Sequence, residues 1–335
     1  AAHLTRHYKR WLAGMSVGVV LLTASVGLNR TNDVFNEYFD ETFEVRRVND
    51  FAMAEMTGMH RIDYAVPSGE SGGTMEPEYL QHLDDLMTWL EQQDEVVYAT
   101  SYTNVIKRLN RDLHGGDPAY YRIPDSRELI SQYTLLYELS LPQGLGLEDQ
   151  LDIDKRQARA IVVLENIGSK PVLDFNDRVE QWMQDNWPAA MQTKGTGMDI
   201  LFGRVTMRNI ESMLGGALIA LISVSLLLIF ALRSVRYGLL SLIPNLLPAA
   251  MAFGLWGLIN GEIGLAVSVV ACMTLGIVVD DAVIVGESID QQRRQGGMSG
   301  QEAAIAGAQR VSRPILFAVL TTLFAFAPLL FLPGP

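Results

Sequence analysis

Long runs of apolar residues alternate with one long polar stretch along the chain. A membrane helix needs about 20 apolar residues to cross a hydrocarbon core of about 30 Å. Five runs meet or approach that length, at residues 11–28, 212–232, 237–260, 263–286 and 314–335. The pattern predicts an α-helical polytopic membrane protein with five spans and one hydrophilic domain at residues 29–211.

Lys and Arg residues near the span ends predict the orientation, because cytoplasmic loops carry an excess of them. They concentrate in the leader 1–10, in the turn with Arg233 and Arg236, and in the amphipathic connector 287–313. An odd number of crossings separates these three regions from residues 29–211. The hydrophilic domain is therefore predicted to lie outside the cytoplasm.

Both ends of the sequence fall next to apolar runs. A cleaved signal peptide is the alternative for the first run, since basic residues precede it and Ala24 and Ser25 lie near its end. Its length favours a membrane span. The chain begins at Ala1, and the last run stops at Pro335 without a polar flank, so we expect a segment of a longer polypeptide with a truncated fifth span.

The outside domain contains two similar stretches of strand, helix and strand. The first covers about residues 56–103 and begins with a strand in which Ile62, Tyr64 and Val66 alternate with other side chains. The second covers about residues 155–200. Two β-α-β units predict an α+β domain built from two ferredoxin-like subdomains.

Two adjacent acids interrupt the fourth apolar run. Asp280 and Asp281 each cost about 3 kcal/mol at the centre of a membrane helix, unless they face a polar cavity or are neutralised. Two carboxylates so close cannot both carry charge comfortably in a low dielectric, and their titration is coupled. The pair therefore fits the loading and release of a proton.

The alternative is that the pair reaches the cytoplasmic surface, but Asp280 lies only about 9 Å from the middle of the predicted span. Small and polar residues elsewhere in the spans are weaker candidates for supporting the relay or for helix packing. They are Thr274, Gly276, Gly286, Glu287, Asn245, Thr321 and Thr322.

Composition excludes several other functions. The net charge is −12, mostly from residues 29–211, which disfavours nucleic acid binding. Cys272 is the single cysteine, so no disulfide forms within the chain. Without a nucleophile and base in a recognisable signature, or Cys/His clusters at ligand spacing, we expect no enzyme, no cofactor and no metal site.

The membrane motifs resemble one half of a resistance-nodulation-division (RND) transporter. Gly276-Ile-Val-Val-Asp-Asp-Ala282 in the third span after the outside domain is the most specific match. Further similar features are Pro244-Asn-Leu-Leu-Pro248, Leu320-Thr-Thr-Leu-Phe-Ala-Phe326, and Ala303, Ala304 and Gly307 in the connector.

The resemblance implies a multi-pass protein of the bacterial inner membrane with a periplasmic porter domain, which exports hydrophobic molecules in exchange for protons. Asp280 and Asp281 match the proton-relay acids of the family. Complete members contain two such halves, so the expected partners are a second half, in the same polypeptide or another chain, and further copies in an oligomer. The second half would supply the basic partner of the acids, since no Lys or Arg lies inside these spans.

The two parts of the chain resemble different branches of the superfamily. The sequence up to Gly276 looks like the lipid-exporting MMPL-type branch, whereas the sequence after Asp281 looks like a drug or metal pump. Our leading prediction is proton-driven export of hydrophobic or lipid-like substrates. One alternative is the permease of a tripartite drug or metal pump with a periplasmic adaptor, and another is a non-transporting receptor or scaffold with a ligand-binding outside domain.

Overall fold

The chain forms two units, each with its own packing. The computed structural model describes residues 8–142, 146–232, 235–297 and 299–331. One unit comprises Val34–Val205, and the other comprises Ala1–Asp33 and Thr206–Gly334. The first holds the mixed helix and sheet structure, and the second is mainly helical.

A three-stranded antiparallel sheet organises the unit Val34–Val205. Strands β2 (His60–Pro67) and β3 (Val96–Ser101) both pair with β4 (Gln157–Leu164), which lies between them. Their registers join His60 to Leu164 and Ser101 to Ala160. The unit also contains helices α2 (Glu44–Glu55), α3 (Pro77–Leu90), α4 (Tyr102–Leu113), α5 (Arg127–Ser140) and α6 (Ser169–Asn186).

Helices α3 and α6 cover the sheet and close its hydrophobic core. Trp89 of α3 stacks on Trp182 of α6 with ring centroids 5.5 Å apart. Tyr64 is fully buried and donates a hydrogen bond to Asn176 Oδ1 of α6, at 3.1 Å. Burial raises the pKa of the Tyr64 hydroxyl, so it stays a neutral donor.

The two predicted β-α-β units are not separate subdomains, because β4 of the second unit lies between the two strands of the first. The strand predicted at the end of the second unit is also wrong. Residue Thr196 forms only an isolated bridge with Asp63, and a long helix begins at Met198. Gly195 and Gly197 flank that bridge, and glycine weakens a strand.

The other unit consists of long helices joined by short turns. The helices are α1 (Tyr8–Ala24), α7 (Met198–Leu232), α8 (Val235–Ile259), α9 (Leu265–Gly296) and α10 (Gly300–Phe326). The first residues of α7, up to Val205, belong to the other unit. Two 3₁₀ turns, Ser25–Leu28 and Ala327–Phe331, extend α1 and α10. A small parallel pairing joins β1 (Arg30–Thr31) to β5 (Glu262–Ile263).

Glycines of α8 allow α1 to approach closely. A side chain at Gly254 would collide with the backbone carbonyl of Leu22, and one at Gly257 would lie 2.7 Å from the carbonyl oxygen of Ser25. Asn29 follows α1 and donates a hydrogen bond to the carbonyl of Phe253 at 2.8 Å. Small residues at such contacts are typical of helices that associate within membranes.

The predicted spans fall largely on these helices. By length and composition, one stretch among the described residues could cross a membrane, at Met198–Leu227. Shorter apolar stretches are Leu12–Leu28, Leu246–Ile259 and Leu265–Thr274. The five-span topology stays a prediction. The predicted connector 287–313 is not a separate element, because α9 continues to Gly296 and α10 begins at Gly300.

Candidate functional site

Helix α9 carries the acidic pair that we predict to relay protons. Asp280 and Asp281 lie in the middle of this continuous helix, about 22 Å along its axis from Leu265 at a rise of 1.5 Å per residue. The side chains of both acids and the surroundings of Gly276 lie outside the described part of the structure. The relay therefore stays a prediction, while its place on one unbroken helix is established.

The first turn of α9 is held by a residue that the sequence analysis missed. Asp33 is 8% exposed, and its Oδ1 accepts a hydrogen bond from the backbone N–H of Leu265 at 3.2 Å. Just before it, the backbone N–H of Asn32 donates to the carbonyl of Ile263. A carboxylate at this position satisfies an unpaired N–H group and complements the positive end of the helix dipole.

At its other end, α9 turns sharply into α10. Gly297 adopts a left-handed backbone with φ of 59°, the conformation that glycine allows most readily at a helix end. Ser299 then caps α10: its hydroxyl accepts from the N–H of Glu302, and its own N–H donates to the Glu302 carboxylate at 3.1 Å. These two caps fix an antiparallel helical hairpin.

The two helices of the hairpin touch at Gly307. The Ser288 hydroxyl, in a residue only 7% exposed, donates a hydrogen bond to the Gly307 carbonyl at 3.0 Å. A Cβ at Gly307 would lie 2.8 Å from the backbone N and Cα of Ile289. Ala303, one turn earlier on α10, is fully buried. Small side chains on α10 therefore let the two backbones pack directly.

This contact sets the level of the acidic pair relative to α10. Asp281 lies seven residues before Ser288, and Pro314 lies seven residues after Gly307. Because the two helices are antiparallel, Asp281 and Pro314 lie at about the same level. Proline removes the N–H that would otherwise bond the carbonyl of Arg310. The backbone hydrogen-bond ladder of α10 is therefore interrupted close to the level of the acids, within about one helical turn.

The structure shows the surroundings of several weaker candidates, and their role beside the acids stays a prediction. The hydroxyls of Thr274, Thr321 and Thr322 each donate to a carbonyl four residues earlier in their own helix, at 2.7–3.0 Å. The Glu287 side chain is exposed, and the position of a Cβ on Gly286 is open. Asn245 lies on α8, and its side chain lies outside the described part of the structure.

A comparison with models of protein families matches residues 153–335, more than half of the chain, to the AcrB/AcrD/AcrF family. The chain belongs to the AcrB/AcrD/AcrF family. Since this is a family of the RND superfamily, the predicted resemblance is confirmed at that level, and with it a role in membrane transport. The matched region includes α7 to α10 and the acidic pair.

Proposed function

We propose that this AcrB/AcrD/AcrF family chain is part of a proton-driven exporter of hydrophobic or lipid-like substrates. It would work as a multi-pass protein of the bacterial inner membrane, with Val34–Val205 in the periplasm. The observation that carries the proposal is the adjacent pair Asp280 and Asp281 in the middle of the continuous helix α9. Family membership supports transport.

The acids would act by taking up protons from one side of the membrane and releasing them to the other. Protonation removes charge from the centre of a helix, where each charged carboxylate costs about 3 kcal/mol. Each proton that moves down a membrane potential supplies about 2.3 kcal/mol per 100 mV. This energy, together with the change in charge on α9, would drive the antiport of substrate.

The chain is proposed to be an incomplete half of the transporter. No Lys or Arg lies within the predicted spans, so the basic partner of Asp280 and Asp281 would come from a second half, in the same polypeptide or in another chain. Such a partner would stabilise the deprotonated pair, because an opposite charge nearby favours the charged form. We also propose that further copies of the transporter associate with it in an oligomer.

The double variant Asp280→Asn, Asp281→Asn tests the proposal in the full-length transporter. We expect it to insert normally and to lose proton-dependent efflux of a hydrophobic dye from energised vesicles. Asp290→Asn is the matched control, because Asp290 lies on the same helix and forms an ion pair with Arg294 at 2.7 Å on the surface. Unimpaired efflux from the double variant would contradict the proposal.

The permease of a tripartite drug or metal pump is the second candidate, and the match to the AcrB/AcrD/AcrF family favours it. This candidate uses the same acidic pair with a periplasmic adaptor. The two candidates differ in substrate, so the same assay, run with a lipid-like dye and with a drug or metal, distinguishes them.

A further inference from the structure

The first segment of the outside domain buries a polar network and exposes several large apolar side chains beside charged ones such as Glu44 and Arg47. We call residues 35–56 the aromatic segment; it comprises a 3₁₀ turn, Phe35–Tyr38, and helix α2. Asn36 is 2% exposed and donates to Asp50 Oδ1 at 2.9 Å. Arg46 binds Asp50 at 2.7 Å and the carbonyl of Asn36 at 3.1 Å. The inner contacts of the segment are therefore hydrogen bonds.

The apolar side chains of α2 project away from this network. Val45, Val48 and Phe51 are 49%, 58% and 62% exposed, and no residue of α2 is buried. Spacings of three residues bring them to neighbouring positions on the helix surface, where Glu44 and Glu55 bound the stripe of Val48 and Phe51 at its two ends. A helix on a protein in water shows the reverse order, with its apolar stripe against the core. The face of α2 needs an apolar neighbour.

A row of aromatic rings continues this exposed surface. The ring centroids of Phe35 and Phe39 are 6.1 Å apart, and those of Phe39 and Phe43 are also 6.1 Å apart. Phe35 and Phe43 are exposed. Contiguous exposed apolar groups mark an interaction site with protein or membrane.

The position in the chain decides between these two neighbours. Asp33 caps α9, and the apolar extension of α1 ends at Leu28. Phe35 follows Asp33 by two residues, which reach at most about 7 Å. If α1 and α9 span the membrane as proposed, the aromatic segment must begin at the membrane surface.

We infer that the aromatic segment lies in the lipid surface of the membrane, with the apolar face of α2 about 5–10 Å deep among headgroups and acyl chains. The inference depends on the proposed membrane topology. The polar network of Asn36, Arg46 and Asp50 lies on the opposite side of α2 from this face. Glu44 and Glu55, exposed in the first and last turns of α2, hold the two ends of the inserted stripe near water.

Single fluorescent probes on the full chain test this arrangement. In a Cys272→Ala background, which lacks other cysteines, Val45→Cys and Val48→Cys place a probe on the apolar face. Ala54→Cys is the matched control, since Ala54 is exposed and lies about 180° around the helix from Val45. Ile219→Cys, on an exposed position of α7, reports insertion of the chain into the bilayer.

The labelled chains are reconstituted in vesicles of phosphatidylethanolamine and phosphatidylglycerol. We expect lipids with a spin label near the headgroup to quench the probes at 45 and 48 several times more than the probe at 54, and aqueous iodide to show the opposite order. Deep spin labels should quench the probe at 219.

The possible failures are distinct. If position 219 is quenched by lipid but iodide reaches positions 48 and 54 equally, the inference is wrong and the membrane topology stands. If positions 45 and 48 are protected from both quenchers, a protein covers the face and the inference is also wrong. If position 219 is not quenched by lipid, both the topology and the inference fail.

Discussion

Replacing Gly307 by alanine should separate α9 from α10 where the two helices touch. The added Cβ would lie 2.8 Å from three atoms of Ile289, namely its N, Cα and Cγ1. Ordinary contacts between carbon atoms are about 3.5–4.0 Å. Because two of the three atoms are backbone, a change of rotamer cannot relieve the clash, and the helix axes must move apart by roughly 1 Å.

The structure gives the magnitude of this effect. The same movement would lengthen the hydrogen bond from Ser288 to the Gly307 carbonyl, now 3.0 Å, beyond bonding range. Overpacking costs about 1–3 kcal/mol, and the lost hydrogen bond costs about 1 kcal/mol. Together the substitution should destabilise the hairpin by about 2–4 kcal/mol.

Amide hydrogen exchange in lipid nanodiscs measures this loss locally. Since about 1.4 kcal/mol corresponds to a tenfold change, protection of the amides around Ser288 and Ile289 should fall by about 30- to 700-fold. Gly286→Ala is the matched control on α9, because a Cβ there meets no atom within 4 Å. Its protection should not fall. Peptides from β2 should be unaffected in both variants.

A third variant separates the clash from the hydrogen bond. Ser288→Ala removes the donor without adding volume, so it should cost about 1 kcal/mol and lower protection about fivefold. If Gly307→Ala lowers protection no more than Ser288→Ala, or if Gly286→Ala lowers it equally, close backbone contact is not what holds the hairpin.

Two further predictions concern single carboxylates. Asp33→Ala should remove the cap of α9 and cost about 1 kcal/mol, seen as about fivefold faster amide exchange in the first turn of α9, whereas Asp33→Asn keeps a capping oxygen and should cost less. The hydrogen bond from Arg178 lowers the pKa of Glu95, so this pair stabilises the folded domain above the carboxyl's ordinary pKa of 4.5 and loses that effect as the pH falls through the lowered value. Glu95→Gln should therefore cost less than about 1 kcal/mol at pH 7, and thermal unfolding of the two proteins should converge in acid; a constant difference at all pH values would refute this role.

Local periodicity was enough to predict single elements of the outside domain. Ile62, Tyr64 and Val66 alternate along the predicted strand, and all three are fully buried in β2. The helix expected after it is present as α3, Pro77–Leu90. One buried face on each element produces the periodic signal.

The pairing of these elements could not be predicted in the same way. Strand β4 binds β2 on one side and β3 on the other, and the sequence separates it from both by long helical segments. Nothing local in Gln157–Leu164 specifies which strands it joins. The prediction of two subdomains failed because strand pairing depends on contacts distant in sequence.

The candidate site also has one feature that the sequence reveals and one that it does not. The pair Asp280 and Asp281 is conspicuous in the sequence because charge inside an apolar run is costly. The Asp33 cap is not, since its partner Leu265 is 232 residues away. The support of the pair by Thr274 stays a prediction; in the structure its hydroxyl donates to the carbonyl of Val270 in its own helix.

Two contacts anchor the helix that carries the proposed relay. One end of the helix is fixed by Asp33 and the other by the contact of Ser288 with Gly307, while the acids lie between them. Sharp kinks in long helices arise mainly at proline, and α9 contains none. A displacement of α9 along its axis would move Asp33 with it or break the hydrogen bond between them. Val34, the first residue of the unit Val34–Val205, follows Asp33 directly, so the cap of α9 lies at the covalent junction of the two units.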